Sequence, residues 1–250
     1  MKKIFVLLLA TISCSTLLAQ KEKEKNNDEK APKKNMVKLN LFALALKNVS
    51  IQYDRAVAKK VTVAATLRYM PTGSIPFKST FKTLADDPET EKQLDDLRVG
   101  NFAFMPEVRY YLSKKGAFRG FYLGLYANIA RDNTSIPFQY DDAGISKTIP
   151  MSGHLTAITG GLMIGSQFKL GGPVYLDWWI LGPGYGSSNG KLTGNKIMDA
   201  SEQQDLRDQL TDTDIPLTKF TYTVNGTGAT IDFKGPWAGI RSGLAIGIRF

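Results

Sequence analysis

From Val37 onward, apolar side chains recur at every second position, and charged ones sit between them in the middle of each run. Val49, Ile51 and Tyr53 alternate with Ser50, Gln52 and Asp54, while Phe104, Val108, Tyr110 and Leu112 oppose Glu107, Arg109 and Tyr111. A period of two marks extended strands, whose side chains point to opposite faces in turn. One face therefore suits hydrocarbon and the other a polar interior. A lysine or arginine on the lipid side of a bilayer midplane costs about 2–4 kcal/mol, so that penalty assigns Arg68, Arg109, Arg241 and Arg249 to the face away from lipid.

Eight such segments are legible: 37–46, 49–57, 61–70, 101–112, 120–130, 153–169, 174–186 and 238–250. Most are close to the nine to eleven residues, roughly, that a tilted membrane strand needs. In the first, Val37, Leu39, Leu41 and Ala43 share a side opposite Lys38 and Asn40. The sixth is glycine-rich, and a bulge there would shift its phase. Connections alternate in length. Short links lie around Lys59–Lys60, at 113–119 and at 170–173, whereas 71–100, 131–152 and 187–237 are long. Lys47–Asn48 is short where a long link is expected.

The predicted fold is all-β: an eight-stranded antiparallel up-and-down transmembrane β-barrel. The long loops, at its outer end, carry short helices and a hairpin. A helix is expected over 86–97 with Asp87 as N-cap and Pro88 at its first position. A second is expected over 201–210, with Ser201 and Gln204 as a capping box. KFTYTVNGTGATIDF (219–233) predicts a hairpin turning at Asn225-Gly226.

Charge follows the same polarity. Of 19 acidic residues after residue 38, sixteen lie in the three long links; the other three, Asp54, Glu107 and Asp177, fall on the predicted inner face. The short turns and their flanks hold Lys59, Lys60, Lys114, Lys115, Arg119 and Lys169. The inner-face set is then Asp54, Arg68, Glu107, Arg109, Asp177, Arg241 and Arg249, expected to pair as a plug because a barrel of eight strands is just wide enough for side chains to fill.

The chain reads as a signal peptide over 1–19, a charged disordered tether over 20–36 and the barrel over 37–250. Cleavage after Ala19 removes the single cysteine, Cys14, whose lipidation is the competing reading. Residues 21–38 hold seven lysines and four acids, which accounts for part of the net charge of +9. The remaining basic residues form no clustered face with interleaved aromatics, so nucleic acid is excluded as a partner. With one histidine, His154, multi-histidine metal sites and triads are excluded. No cofactor is expected, and no run matches a calcium loop.

Leu244, Ile246, Ile248 and Phe250 alternate to the end of the sequence. In a closed barrel the last strand pairs with the first, which puts Phe250 at the membrane boundary. A terminal phenylalanine after such alternation resembles the signal read by the barrel-assembly machinery. KLNLFALALKNVSIQYDRAV (38–57), EVRYYL (107–112), RGFYLGLYANIA (119–130), GPVYLDWWILGPGYG (172–186) and RSGLAIGIRF together resemble small outer-membrane β-barrels of Bacteroidota, largely of unknown function. The resemblance implies an OmpA- or OmpX-like barrel with both termini periplasmic, and it brings no catalytic residues.

The expected role is non-enzymatic: a surface interaction or scaffold protein, or an accessory subunit of an outer-membrane complex, with a protein partner engaged through 71–100 and 187–237. Outer-membrane lipid and lipopolysaccharide surround it, and its loop acids could hold divalent cations against lipopolysaccharide phosphates. The rivals are a small gated channel and a lipid A-modifying enzyme, the latter resting on HLT (154–156), which faintly resembles the histidine and serine of barrel deacylases. Trp178, Trp179, Tyr110, Tyr185 and Phe250 are expected in lipid contact, barrel filling or the interfacial belt.

Overall fold

The computed structural model describes residues 33–85, 88–142, 145–212 and 217–250. The leader, Cys14, Asp87 and the tether up to residue 32 lie outside them. Eight strands close into a ring: β1 (Asn35–Asn40), β2 (Val49–Ala58), β3 (Val61–Ser74), β4 (Arg98–Tyr111), β5 (Gly120–Asp142), β6 (Ile145–Gly171), β7 (Val174–Asn195) and β9 (Gly228–Arg249). Each pairs antiparallel with its neighbour, and β9 closes on β1 from Met36↔Arg249 to Asn40↔Ala245. A further strand, β8 (Lys219–Asn225), pairs with the far half of β9 only.

Register fixes the geometry of the ring. From Leu39 the partners run to Ile51, Leu67, Phe104, Ile129, Ile158, Ser187 and Pro236, yet Leu39 itself meets Ile246 across the closing seam. The stagger is therefore 246 − 236, or ten residues, which for eight strands corresponds to a tilt of about 40° and an interior filled by side chains.

The two faces fall as the alternation predicts. Val49, Ile51, Tyr53, Leu67, Tyr69, Val108, Tyr110, Leu123, Leu125 and Trp178 are exposed on the outside, whereas Gln52, Asp54, Thr66, Glu107, Arg109, Tyr111, Tyr122, Asp177 and Trp179 are buried inside. The phase shift expected in β6 is absent among its described residues: Met151, Ala157, Thr159, Met163 and Gln167 all point inward. The bulge lies instead in β7 at Ile180, after which the inward set changes from Tyr175, Asp177 and Trp179 to Gly182 and Ser188. Among the described residues no helix is long and apolar enough to cross a membrane.

Three further expectations are corrected. The first strand stops at Asn40, and Leu41–Ala45 form a short helix, α1. Asn40 turns the chain there: its side chain accepts from the Ala43 amide at 3.1 Å, an N-cap bond. At the other end Asn48 and Lys47 donate to the carbonyls of Ala43 and Leu44, with Lys47 at φ 56°. That is the paired Schellman closure, with a lysine in the left-handed position usually given to glycine. The Lys47–Asn48 link is thus the end of a helix at the long-link end of the barrel and not a tight hairpin.

Second, the long links are largely strand. β5, β6, β7 and β9 run 23, 27, 22 and 22 residues, well past the apolar belt. The link 71–100 holds two helices, α2 (Lys78–Ala85) and α3 (Pro88–Asp96), tied by Lys78 and Lys82 to Asp95 at 2.9 Å each. Third, the helix in 187–237, α4 (Ala200–Asp212), is capped by Asp199, whose Oδ1 accepts from the Glu202 amide, and not by Ser201. The hairpin turns on Gly226 and Thr227, one residue later than expected, with Asn225 facing Gly228.

Candidate functional site

Inside the ring, at the level of the apolar belt, six ionic side chains interlock. Lys38 Nζ reaches Asp54 Oδ2 and Asp177 Oδ2, both at 2.5 Å. Arg109 donates to Asp177 at 2.6 Å and to Gln52 at 2.9 Å, and its Nε bonds Glu107. Arg241 closes the cluster on Glu107 at 2.7 Å. Three cations thus face three carboxylates, and all but Arg241 are almost fully buried. A buried charge needs both a partner and hydrogen bonds to offset the loss of water. Tyr122 and Trp179 supply further donors to Asp177 at 2.9 and 3.0 Å. Aromatic faces cover the cations: Arg109 lies 4.6 Å from the centre of the Tyr122 ring, and Arg241 4.2 Å from Trp179.

Of the seven inner-face residues read from the sequence, five meet in this cluster. Arg68 stands apart, with its Nε on Asn101 at 2.8 Å and Asn101 in turn on Asp132 at 2.5 Å. Arg249 sits at the short-turn end, bonded to the Lys33 carbonyl and to the Tyr175 hydroxyl and stacked on Phe118. Lys38 is the member that the sequence reading left out. Its alternation had placed it inward, but its charge merges with the lysine-rich segment before it. Phe250 exchanges two backbone hydrogen bonds with Asn35, so the end of β9 is held in the closing seam, and Ile246 and Ile248 stay exposed on its outer side.

Beyond the belt the long strands curl into a cap with a core of its own. Tyr140, Ile149, Met151, Met198, Leu206, Leu210, Val224 and Ile231 pack together under α4. Glu202 is buried there with Lys196 at 2.8 Å, Lys147 at 3.5 Å and a hydrogen bond from Tyr140. The bonds from Lys196 and then Tyr140 hold the Glu202 carboxyl at about 2. Burial opposes the charge on Lys196, but its bonds to Glu202 and Tyr140 outweigh that and raise its pKa.

His154 lies on the extended part of β6, opposite Lys191, in a shallow crevice with Asn189, Lys219, Asp232 and Lys234. Among the described residues no group of three or more His, Cys, Asp or Glu could hold a metal ion. At the short-turn end, Lys33, Lys34, Lys59, Lys115, Arg119 and Arg249 line a basic mouth of about 560 Å³.

An apolar outer wall around a packed ionic lumen defines a small β-barrel of the transmembrane kind. The chain belongs to the family described as "Protein of unknown function (DUF3575)", whose model matches residues 4–207. No curated protein matches it. Among solved structures it is similar to the beta domain of the Bordetella autotransporter BrkA, at 10% identity and a TM-score of 0.30, over 87% of this chain and 98% of that one.

Proposed function

We propose that this chain is an integral outer-membrane β-barrel with both termini periplasmic, and that it acts without catalysis, through its outer end, as a surface interaction protein or accessory subunit of a larger outer-membrane complex. The distribution of structure carries this reading. The lumen is closed by a neutral ionic plug, whereas half of the ring's strands continue outward into a sheet with its own apolar core and a covering helix. A self-standing cap on a filled cylinder offers surface and no passage. Apolar side chains stand exposed there, Ile197 and Leu217 among them. Phe250 and the outward Ile248, Ile246 and Leu244 fit an assembly signal, and lipopolysaccharide is the expected surrounding lipid.

Orientation is tested by labelling. An Ile197→Cys variant reacts with an impermeant maleimide on intact cells, and Lys59→Cys reacts only after the envelope is opened; the reverse pattern rejects periplasmic termini. Because Asn195 and Gly228 are register partners, residues 196–227 can be replaced by a two-residue turn without opening the ring. The expected result is a stoichiometric membrane partner that co-purifies with the full chain and is lost from this variant while the barrel keeps its heat-modifiable gel mobility. A partner set unchanged by the replacement overturns the interaction role.

A further inference from the structure

Among the described residues the barrel wall has a gap. On the edge of β9 that faces the seam, β1 covers residues 245–249 and β8 covers 228–234, so 235–244 pair with neither. In place of a strand, α1 lies beside this edge, with Asn40 against Gly243. A strand rises about 3.3 Å per residue, so at a tilt of about 40° each residue climbs about 2.5 Å. Ile240 therefore stands about 25 Å above Phe250, at the upper margin of an apolar band about 25 Å tall. Leu244 lies within the band. Unpaired backbone at such a depth persists only where protein covers it or where it lines a wet or filled cavity.

Behind the gap is a cavity of about 380 Å³. Phe42 and Leu46 of the α1 segment and Ile240 of β9 form its apolar rim, with Trp237 beside them; all four are exposed. Its inner wall carries Arg68 and Arg241, and among the described residues no carboxylate lines it. Arg241 Nε is buried without a hydrogen-bond partner. The hydrogen bond that Arg68 makes uses Nε, and among the described residues its two terminal nitrogens have none. Two guanidinium groups with unfilled hydrogen-bonding capacity toward the top of the apolar belt, reached through an apolar slot in the wall, match one kind of ligand: a phosphate carrying an acyl chain.

We infer that this lateral crevice binds a phosphorylated amphiphile of the outer leaflet, its phosphate on Arg68 and Arg241 and its chain leaving between α1 and the free edge of β9. The inference rests on the membrane reading above. Arg241 also anchors Glu107, so Arg68→Gln is the milder charge variant. Gly239→Phe is an independent block, because a Cβ at Gly239 meets open space.

The test is native mass spectrometry of the chain in mild detergent, with myristoyl lysophosphatidic acid as the probe. One adduct per chain is expected, weakened at least tenfold by Arg68→Gln and abolished by Gly239→Phe, with no adduct from neutral monomyristoylglycerol. Equal binding by both variants, or by the neutral lipid, overturns the site. Competition by millimolar inorganic phosphate would assign the pocket to a free anion entering from the mouth and overturn the amphiphile. If the chain is water-soluble without detergent, the membrane reading itself fails. A heat-modifiable barrel that takes up no probe removes this inference alone.

Discussion

Lys38 shows how much one side chain decides in a lumen of this width. It is the ionic partner that β1 contributes, bridging Asp54 and Asp177 at 2.5 Å each. With it the cluster holds three cations and three anions. Lys38→Met leaves Arg109 and Arg241 against three buried carboxylates, and an uncompensated buried charge costs about 3–5 kcal/mol. The expected outcome is a loss of that size in urea unfolding, read from tryptophan emission in detergent micelles. Pairing Lys38→Met with Asp54→Asn returns the cluster to two cations and two anions, so the double variant is expected to be more stable than Lys38→Met alone. A double variant no more stable than the single one would show that geometry, and not charge balance, holds the plug together. Alternation alone locates Lys38 on the inner face, but sequence cannot say which inward charges stand at one height. Pairing does that, which is why Arg249, equally inward, ends at the mouth on Tyr175 instead of in the cluster.

Among the elements, those that face lipid were legible, because hydrocarbon on one side and ions on the other leave few choices of phase. Those at the outer end were only partly so. LFALALK alternates like a strand, yet leucine and alanine are also strong helix formers, and Asn40 in front supplies the cap that turns β1 into α1. The outer halves of β5 and β6 read as loop because they leave the belt and lose the strict alternation; pairing with a neighbour and packing under α4 hold them as strands. Within that cap Glu202 makes a pH-dependent contribution. Its carboxyl is held at about 2, against a usual 4.5, by Lys196 and Tyr140. A carboxyl depressed in the folded state stabilises fully above its unfolded pKa and loses that contribution as pH falls toward the folded value. The cap should therefore loosen between about pH 5 and pH 2, seen as faster hydrogen exchange in 196–227 while β2 and β3 stay protected. In Glu202→Gln that acid-dependent change should be absent. An identical pH profile in the variant would assign it to another group.

At the scale of the whole molecule, strand number and stagger set the bore, and the sequence sets what fills it. Eight strands with a stagger of ten residues leave an interior about one layer of side chains across. Arg109, Tyr111 and Tyr122 occupy it with almost no exposure, and the ring centres of Tyr111 and Tyr122 lie 5.3 Å apart. An ion crossing here must either break the pairs of Lys38, Arg109 and Arg241 or replace them, and each broken buried pair costs several kcal/mol. Planar-bilayer recordings of the purified chain are therefore expected to show no steady current steps, and Arg68→Gln, which lies above the plug, should leave that silence unchanged. Asp177 is different. It accepts from Lys38, Arg109, Tyr122 and Trp179 at once, so Asp177→Asn weakens the hold on two cations together, leaving Lys38 on Asp54 and Arg109 on Glu107. The expected result for that variant is brief, noisy openings on a destabilised barrel. Steady conductance in the unaltered chain, shifted in size or selectivity by Asp177→Asn or Arg68→Gln, would mean that the ionic cluster is a filter, and the small-channel reading would replace the surface one.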